Sequence, residues 1–356
     1  MQNSISDLFI RSSDSLLAAG ACIDRNARGI ALVVDDQQHL LGTITDGDLR
    51  RAILAKKSVD TPVKDLLATK AVSPYPKPVT ALTGTGRDEL LHLMHERVVR
   101  QVPLLDDEGR VVDVVTLDDL LPAGNLRLEA VIMAGGLGTR LRPLTDDVPK
   151  PMLPIGDRPL LEIIVAGLRA AGIRTVNVAT HYKGEQIAEH LKDGQHLGVN
   201  IRYVQEDQPL GTAGALSLLE ESEEPLLVIN GDILTRVDFK AMLDFHNECD
   251  ADLTVAVRQY EFRVPYGVIE TDGVAVTGVS EKPVVRQFIN AGIYLLNPQI
   301  RNVIPNGKHY DIPDLIQQLL KEGRSVVCFP IREYWLDIGE SEQYDRANAD
   351  MASGHF

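Results

Sequence analysis

An internal repeat is the feature of this sequence that most restricts its fold. Residues 29–49 align without gaps on residues 100–120. Each copy has an apolar run, an acidic turn, a second apolar run and a helix-capping residue, which predicts strand, turn, strand and helix. Apolar-periodic stretches at 16–23 and 90–98 predict a helix packed on each hairpin. Two such units would bury one shared face, so we expect an α+β domain over residues 1–122.

This repeat resembles a tandem pair of CBS domains, modules that often bind adenine nucleotides between their two copies. In that family the Thr and Asp of a Gly-x-x-Thr-x-x-Asp turn hold the ligand. The residues implied here are Thr45 and Asp48 in the first copy, and Thr116 and Asp119 in the second. Asp113 replaces the Gly42 of the first turn, which predicts a weaker second site. A Thr or Asp before a helix is also an N-cap worth about 1 kcal/mol, so simple dimerisation stays open beside binding of an adenine-nucleotide effector.

A glycine-rich loop marks a second domain. The sequence Pro-Ala-Gly-Asn at 122–125 predicts a linker, and the apolar run at 128–133 predicts a buried strand. The small residues that follow allow backbone N–H groups to approach a phosphate closely. The loop is not a Walker A loop, since no Lys-Ser or Lys-Thr follows at the needed spacing. Leu141 stands where a dinucleotide fingerprint has its third glycine, which disfavours a nicotinamide-dependent dehydrogenase.

Two cations, Arg140 and Lys150, follow this loop, and prolines on both sides stiffen the segment that carries Lys150. The whole string resembles the sugar-1-phosphate nucleotidyltransferases, also called nucleotide-sugar pyrophosphorylases. Further motifs of that family lie, in the family's order, at residues 205–216, 230–232, 266–270, 281–283, 290–294 and 335–339. The resemblance covers residues 126–348. It implies a Rossmann-like, three-layer α/β domain with a mixed sheet, and transfer of a nucleotidyl group from a nucleoside triphosphate to a sugar 1-phosphate with release of pyrophosphate.

Such a reaction poses an electrostatic problem, because two polyanions must meet. The sugar phosphate is already mostly ionised at neutral pH, so no general base is needed. By resemblance, Arg140 clamps the triphosphate and the leaving pyrophosphate, and Lys150 bridges the reacting phosphates. Asp232 and Asp337 each follow an apolar stretch, and carboxylates with substrate phosphates commonly hold Mg²⁺. Asp232 alone would favour a turn or a cap, but Asp232 paired with Asp337 favours the metal.

The resemblance also implies two substrate-binding sets. The nucleotide-binding residues are Ala134, Gly135, Gly136, Gly138, Thr139, Glu206, Gly211 and Thr212. The sugar-phosphate-binding residues are Gly267, Glu281, Lys282 and Asn290. A solvated charged turn before a proline is the alternative interpretation of Glu281 and Lys282.

Glu206 carries the hypothesis about the base. Thymidylyl- and uridylyl-transferring relatives often have Gln at this position, whereas a carboxylate only accepts hydrogen bonds. Guanine presents two adjacent N–H donors, so Glu206 favours guanylyl transfer from GTP. The fused CBS pair is similar to that of bacterial enzymes preparing GDP-linked amino sugars such as GDP-glucosamine. The sugar itself, an amino sugar or another hexose, stays open, as does thymidylyl or uridylyl transfer.

Composition excludes several other classes. A net charge of −15 disfavours nucleic-acid binding, and no stretch of about 18 apolar residues predicts a membrane span. The chain does not open with a basic segment followed by an apolar one, so we expect a cytoplasmic protein. Cys22, Cys249 and Cys328 are far apart in the sequence and are expected to be buried thiols. We also expect a homo-oligomer formed through the CBS domains, the catalytic domain or both. Residues 341–356 are too few for the β-helix of acetyltransferase relatives. A catalytically silent nucleotide sensor is disfavoured by the intact Arg, Lys and Asp residues.

Overall fold

The computed structural model describes residues 4–26, 28–70, 76–120 and 126–356. It divides into two compact units, Met1–Gly124 and Asn125–Phe356. The predicted linker at 122–125 lies outside the described residues. No helix in the described ranges is both long and apolar enough to cross a bilayer.

The repeat forms two three-stranded sheets in the first unit, with the orders β1-β2-β3 and β4-β5-β6. The strands are β1 (Phe9–Ile10), β2 (Ile30–Val34), β3 (Leu40–Thr45), β4 (Ala81–Leu82), β5 (Gln101–Leu105) and β6 (Val111–Thr116). The helices are α1 (Leu16–Asn26), α2 (Asp46–Leu54), α3 (Val63–Lys70), α4 (Arg87–Arg97) and α5 (Leu117–Leu120). The strand–turn–strand–helix prediction is confirmed in both copies.

The two copies agree down to their strand register. Their hairpins pair antiparallel, and each has an irregularity at the same step, after Val33 in one and after Leu104 in the other. Strand β2 is buried on both faces, because Ala31 and Val33 face the core of their own copy while its other residues join Val111 and Val114 of the second copy. The two copies therefore share a core, as the repeat predicts.

The second unit is built on a seven-stranded sheet with the order β11-β10-β7-β12-β17-β14-β18. The strands of the unit are β7 (Glu129–Met133), β8 (Pro154–Ile155), β9 (Arg158–Pro159), β10 (Thr175–Thr180), β11 (Asn200–Gln205), β12 (Leu226–Asn230), β13 (Ile233–Thr235), β14 (Leu253–Arg263), β15 (Val268–Asp272), β16 (Ala275–Ser280), β17 (Val284–Leu296), β18 (Val326–Pro330) and β19 (Trp335–Asp337). The helices are α6 (Leu160–Ala170), α7 (Gly184–Leu191), α8 (Gly211–Gly214), α9 (Phe239–Glu248), α10 (Ile312–Lys321) and α11 (Ser341–Ser353).

The sheet is mixed, because β17 runs antiparallel to both of its neighbours while the other neighbouring pairs are parallel. The chain moves outward from β7 to β10 and β11, then returns to the other side of β7 as β12. The carboxyl ends of β7 and β12 therefore flank a point where the strand order reverses, the usual position of ligands in open α/β sheets. The predicted α/β fold with a mixed sheet is confirmed.

The three cysteines differ in exposure, and no disulfide joins them. Cys22 is buried as predicted, whereas Cys249 is half-buried and Cys328 is exposed. The prediction of three buried thiols is wrong for Cys328 because β18 lies at the edge of the sheet, where one face of the strand stays uncovered.

Candidate active site

The glycine loop after β7 folds back onto the segment that carries Lys150. Gly138 has a left-handed backbone with φ +62°. A Cβ atom on Gly138 would lie 3.0 Å from the Cβ of Lys150 and 3.0 Å from Cγ2 of Thr145. The Thr145 hydroxyl donates to the Gly138 carbonyl over 2.8 Å. Only glycine leaves enough room for this close approach.

Lys150 forms an ion pair with Asp232. Its ammonium nitrogen lies 2.5 Å from Asp232 Oδ2, and the lysine side chain is 10% exposed. Asp232 follows β12, where the Gly231 N–H donates to the Met133 carbonyl over 2.9 Å and ties the strand end to β7. The sheet thus joins two motifs that lie far apart in the sequence.

Asp337 is placed beside Asp232 by a short strand pair. Strand β13 runs antiparallel to β19 with Ile233 opposite Asp337, and the Ile338 N–H donates to the Asp232 carbonyl over 3.0 Å. Burial raises the pKa of Asp337, and the Asp232 charge raises it further, against the opposing effect of Lys150 and Arg140. Two carboxylates are therefore held close together in a partly dry environment.

Arg140 lies close to Asp337, and its side chain is largely exposed. A Cβ atom on Gly339 would lie 3.5 Å from Arg140 Nη1 and 3.6 Å from Asp337 Oδ1. The guanidinium also lies 3.9 Å from the Glu340 carboxylate, with both side chains largely exposed. The four residues predicted to form the catalytic set therefore meet at one end of the sheet.

The carboxylates fit a divalent cation. Asp232 Oδ2 is bound by Lys150, but its Oδ1 is buried without a hydrogen-bond partner. An unsatisfied buried acceptor is costly, and a cation would satisfy it. Among the described residues no group of three or more His, Cys, Asp or Glu side chains could hold a metal. Mg²⁺ commonly takes one or two protein carboxylates and completes its shell with phosphates and water.

Glu206 lies beside the glycine loop, as expected for a nucleotide-binding residue. It is buried, and its Oε2 accepts the Leu210 N–H over 2.8 Å. Its Oε1 would lie 3.2 Å from a Cβ atom on Gly135. One carboxylate oxygen is thus bound to the backbone and the other faces the loop.

Other residues of the glycine loop differ in how accessible they are. The Ala134 N–H donates to the Ala179 carbonyl over 2.8 Å. A Cβ atom on Gly136 would meet no described atom within 4 Å. Thr139 is exposed and begins a short 3₁₀ turn, Thr139–Leu141. Gly136 and Thr139 are therefore accessible, while Ala134 is held against β10 by its backbone hydrogen bond.

Gly211 and Thr212, two of the predicted nucleotide-binding residues, contact the residues at the start of α10. Gly211 has φ +77°, and a Cβ atom there would lie 2.6 Å from Asp311 Oδ1. The Thr212 N–H donates to Asp311 Oδ1 over 2.9 Å, and the Thr212 hydroxyl accepts the Ile312 N–H over 3.0 Å. Sequence reasoning missed Asp311, although an Asp before Ile-Pro at a helix start signals an N-cap.

The predicted sugar-side residues fall into two places. A Cβ atom on Gly267 would lie 3.0 Å from Glu281 Oε2, so these two residues are adjacent beside the β15–β16 hairpin. Lys282 is exposed and has a left-handed backbone, with φ +45°. Asn290 lies further along β17, and its Oδ1 accepts the Gly292 N–H over 3.0 Å.

In the first unit, both predicted Thr–Asp turns cap helices. The Thr45 N–H donates to Asp48 over 3.0 Å, and the Thr116 N–H donates to Asp119 over 2.8 Å. Asp48 is buried and lies 2.7 Å from the Lys70 ammonium group, whereas Asp119 is about half exposed. The first turn is thus occupied by the Lys70 ammonium group, and the second turn is more exposed, with Arg28 Nη1 lying 3.9 Å from Asp119 Oδ2.

Comparisons with known proteins find a different family in each of the two compact units. Residues 129–354 match the nucleotidyl transferase family, and residues 5–55 and 61–125 match the CBS domain. A mannose-1-phosphate guanylyltransferase of Mycobacterium tuberculosis is 35% identical over 64% of this chain and 66% of its own length. A mannose-1-phosphate guanyltransferase of Kluyveromyces lactis is 35% identical over 61% of this chain and 63% of its own.

Among solved structures, HddC from Yersinia pseudotuberculosis complexed with GMP-PN is 28% identical, with a TM-score of 0.50. That likeness covers 63% of this chain and 99% of the other. The chain spans less than two thirds of the length of the two curated relatives.

Proposed function

The chain belongs to the nucleotidyl transferase family, and on that premise we propose that it transfers a nucleotidyl group from a nucleoside triphosphate to a sugar 1-phosphate, releasing pyrophosphate and forming a nucleotide-sugar. The observation that carries the proposal is the convergence of Lys150 and Arg140 on the carboxylates of Asp232 and Asp337. Two cations and two metal-binding acids at one strand end are what the joining of two polyanions needs.

In this proposal the cations divide the work. Lys150 is buried and fixed, so it neutralises charge on the reacting phosphates without having to reorganise. Arg140 is exposed and lies at the open side, which suits it to the triphosphate and the leaving pyrophosphate. Mg²⁺, held by Asp232 and Asp337, would supply further charge neutralisation on the phosphate oxygens.

We further propose that the triphosphate is GTP. Glu206 supports this choice because it is buried next to the glycine loop with Oε1 facing Gly135. A carboxylate oxygen accepts from the N–H groups of guanine, whereas a pyrimidine base needs a donor as well. The M. tuberculosis and K. lactis relatives are named as guanylyl or guanyl transferases, and the HddC structure holds GMP-PN, which agrees with this choice. Thymidylyl or uridylyl transfer is the alternative.

The sugar is a hexose 1-phosphate or an amino-sugar 1-phosphate, bound by Gly267, Glu281, Lys282 and Asn290. Mannose 1-phosphate is supported by the names of the relatives. Glucosamine 1-phosphate is supported by the fused CBS pair. We place the enzyme in the cytoplasm as a homo-oligomer, with the CBS pair as a site for a nucleotide effector.

A substrate matrix tests the proposal. The full chain with MgCl₂ is offered four nucleoside triphosphates against mannose, glucose, glucosamine and heptose 1-phosphates, and pyrophosphate release is measured. We expect release with GTP and one or two of the sugars, and none without Mg²⁺. Release with UTP or dTTP alone would show that the enzyme uses a pyrimidine triphosphate instead of GTP. No release with any pair of substrates would contradict the proposed enzyme activity.

A further inference from the structure

Buried polar atoms without partners collect at the end of β12. Within the described ranges, three buried side-chain atoms of this kind have no hydrogen-bond partner: Asn230 Oδ1, Asp232 Oδ1 and Gln343 Oε1. Two of them belong to the tripeptide Asn-Gly-Asp. A buried acceptor that nothing satisfies destabilises the fold. A ligand or an ion that contacted both of these oxygens would remove that cost.

The Asn230 amide lies beside Gly292 of β17. Its Nδ2 would lie 2.7 Å from a Cβ atom on Gly292, whose φ is +68°. The Gly292 N–H is in turn bound to Asn290 Oδ1 over 3.0 Å. Any side chain at Gly292 would push the Asn230 amide away, so β17 makes room for it.

The same glycine connects Asn230 to the strand pair that carries the carboxylates. A Cβ atom on Gly292 would also lie 3.4 Å from Cγ1 of Ile233. Ile233 follows Asp232 directly and stands opposite Asp337 in the pairing of β13 with β19. The unpartnered Asn230 oxygen therefore belongs to the same end of the sheet as the two carboxylates placed at the metal.

We propose that Asn230 is a third oxygen ligand residue of the metal site, holding hydrated Mg²⁺ together with Asp232 and Asp337. This rests on the proposed function. Mg²⁺ prefers oxygen donors, and an amide oxygen is neutral. Asn230 therefore adds a ligand without adding negative charge to a site whose two carboxylates already repel each other. A hydroxyl of the sugar substrate is the competing donor for this oxygen.

Metal binding to the full chain, without any substrate, tests the assignment. Free Mn²⁺ is followed by electron paramagnetic resonance in wild type, Asn230→Ala, Asn230→Asp and Gln343→Ala. Gln343 is the matched control, since it also carries a buried unpartnered oxygen but lies on α11. We expect Asn230→Ala to weaken Mn²⁺ binding about 10-fold or more, as for residues that support metal ligands. Gln343→Ala should bind like wild type, and the near-isosteric Asn230→Asp at least as tightly.

Four results would overturn the assignment. They are unchanged Mn²⁺ affinity in Asn230→Ala, an equal loss in Gln343→Ala, weaker binding in Asn230→Asp, and an Asn230→Ala effect confined to the KM of the sugar 1-phosphate. If wild type binds no Mn²⁺ either, Asn230 has no metal to hold. None of these results removes the proposed function, because Mg²⁺ can still enter the site with the triphosphate, and pyrophosphate release with and without Mg²⁺ tests that function separately.

Discussion

The ammonium nitrogen of Lys150 lies 2.5 Å from Asp232 Oδ2, and this ion pair connects the segment after the glycine loop to the end of β12. The lysine is 10% exposed, so its charge acts in a medium that screens it less than water does. Its partner carboxylate keeps a second oxygen without a hydrogen-bond partner. The same aspartate can therefore contact a cation on one oxygen and the lysine on the other.

Replacing Lys150 by Met should lower kcat about 10²–10³-fold, because a fixed positive charge next to the reacting phosphates is removed while the apolar stem remains. Steady-state pyrophosphate release measures the effect. Arg142→Ala is the control, since Arg142 is an exposed cation of the same loop paired only with Asp146 at 3.4 Å among the contacts described. An equal loss in both variants would contradict a specific role for Lys150.

Asp337→Asn should raise the melting temperature of the metal-free protein at neutral pH while nearly abolishing activity. The pKa of Asp337 is raised by burial and by Asp232, so its charged form is the less stable one in the folded state. The stabilisation associated with a raised acid pKa is present at low pH and is lost as pH rises through the folded pKa. Differential scanning fluorimetry from pH 4 to 8 should show the gain growing with pH. A lower melting temperature at pH 8 would refute this reasoning.

Glu206→Gln should reduce the preference for GTP over UTP and dTTP by about 10-fold or more, since one base-reading hydrogen bond is worth about 1.4 kcal/mol or more in discrimination. The Gln side-chain oxygen still accepts the Leu210 N–H, so the turn is retained. Competition assays with mixed triphosphates measure the ratio. If the ratio is unchanged, Glu206 does not read the base.

Gly138→Ala should destabilise the second unit by about 1–2 kcal/mol or more, because a left-handed backbone disfavours any Cβ and this one would press on Lys150 and Thr145 at 3.0 Å each. Gly136→Ala is the matched change two residues away, where a Cβ meets no described atom within 4 Å. Chemical denaturation should therefore separate the two variants. Equal stability would mean that the loop relaxes around the added methyl group.

Asp48→Asn should destabilise the first unit more than Asp119→Asn does. Burial alone would raise the pKa of Asp48, but Lys70, Thr45 and Arg51 together outweigh the effect of burial, and the net pKa is lowered. A lowered acid pKa stabilises above the unfolded pKa and loses that contribution as pH falls through the folded one. Thermal unfolding at pH 7 should separate the two variants, and the gap should narrow toward pH 3. A constant gap would show that capping, not charge, is responsible.

The repeat and the motif string allowed much of this molecule to be predicted. The hairpins are encoded by apolar runs and turn residues, which act over a few residues, so both copies could be located from the sequence. Strand β14 shows the limit of such patterns, because its apolar run covers only residues 253–257 and its outer half is exposed, although it pairs with β17 as far as Arg263. Pairing between strands, not burial, extends it.

The order of residues along the chain was enough to identify the chemical groups of this protein: the duplicated α+β unit, the glycine loop, and the identities of Arg140, Lys150, Asp232 and Asp337. How those groups are used became visible only once the chain was folded. Folding paired Lys150 with one oxygen of Asp232, bound one oxygen of Glu206 to the backbone, and left the amide oxygen of Asn230 without a partner. The reason is that hydrogen bonds and ion pairs depend on distances of a few ångströms between residues far apart in the chain, and no local pattern records those distances.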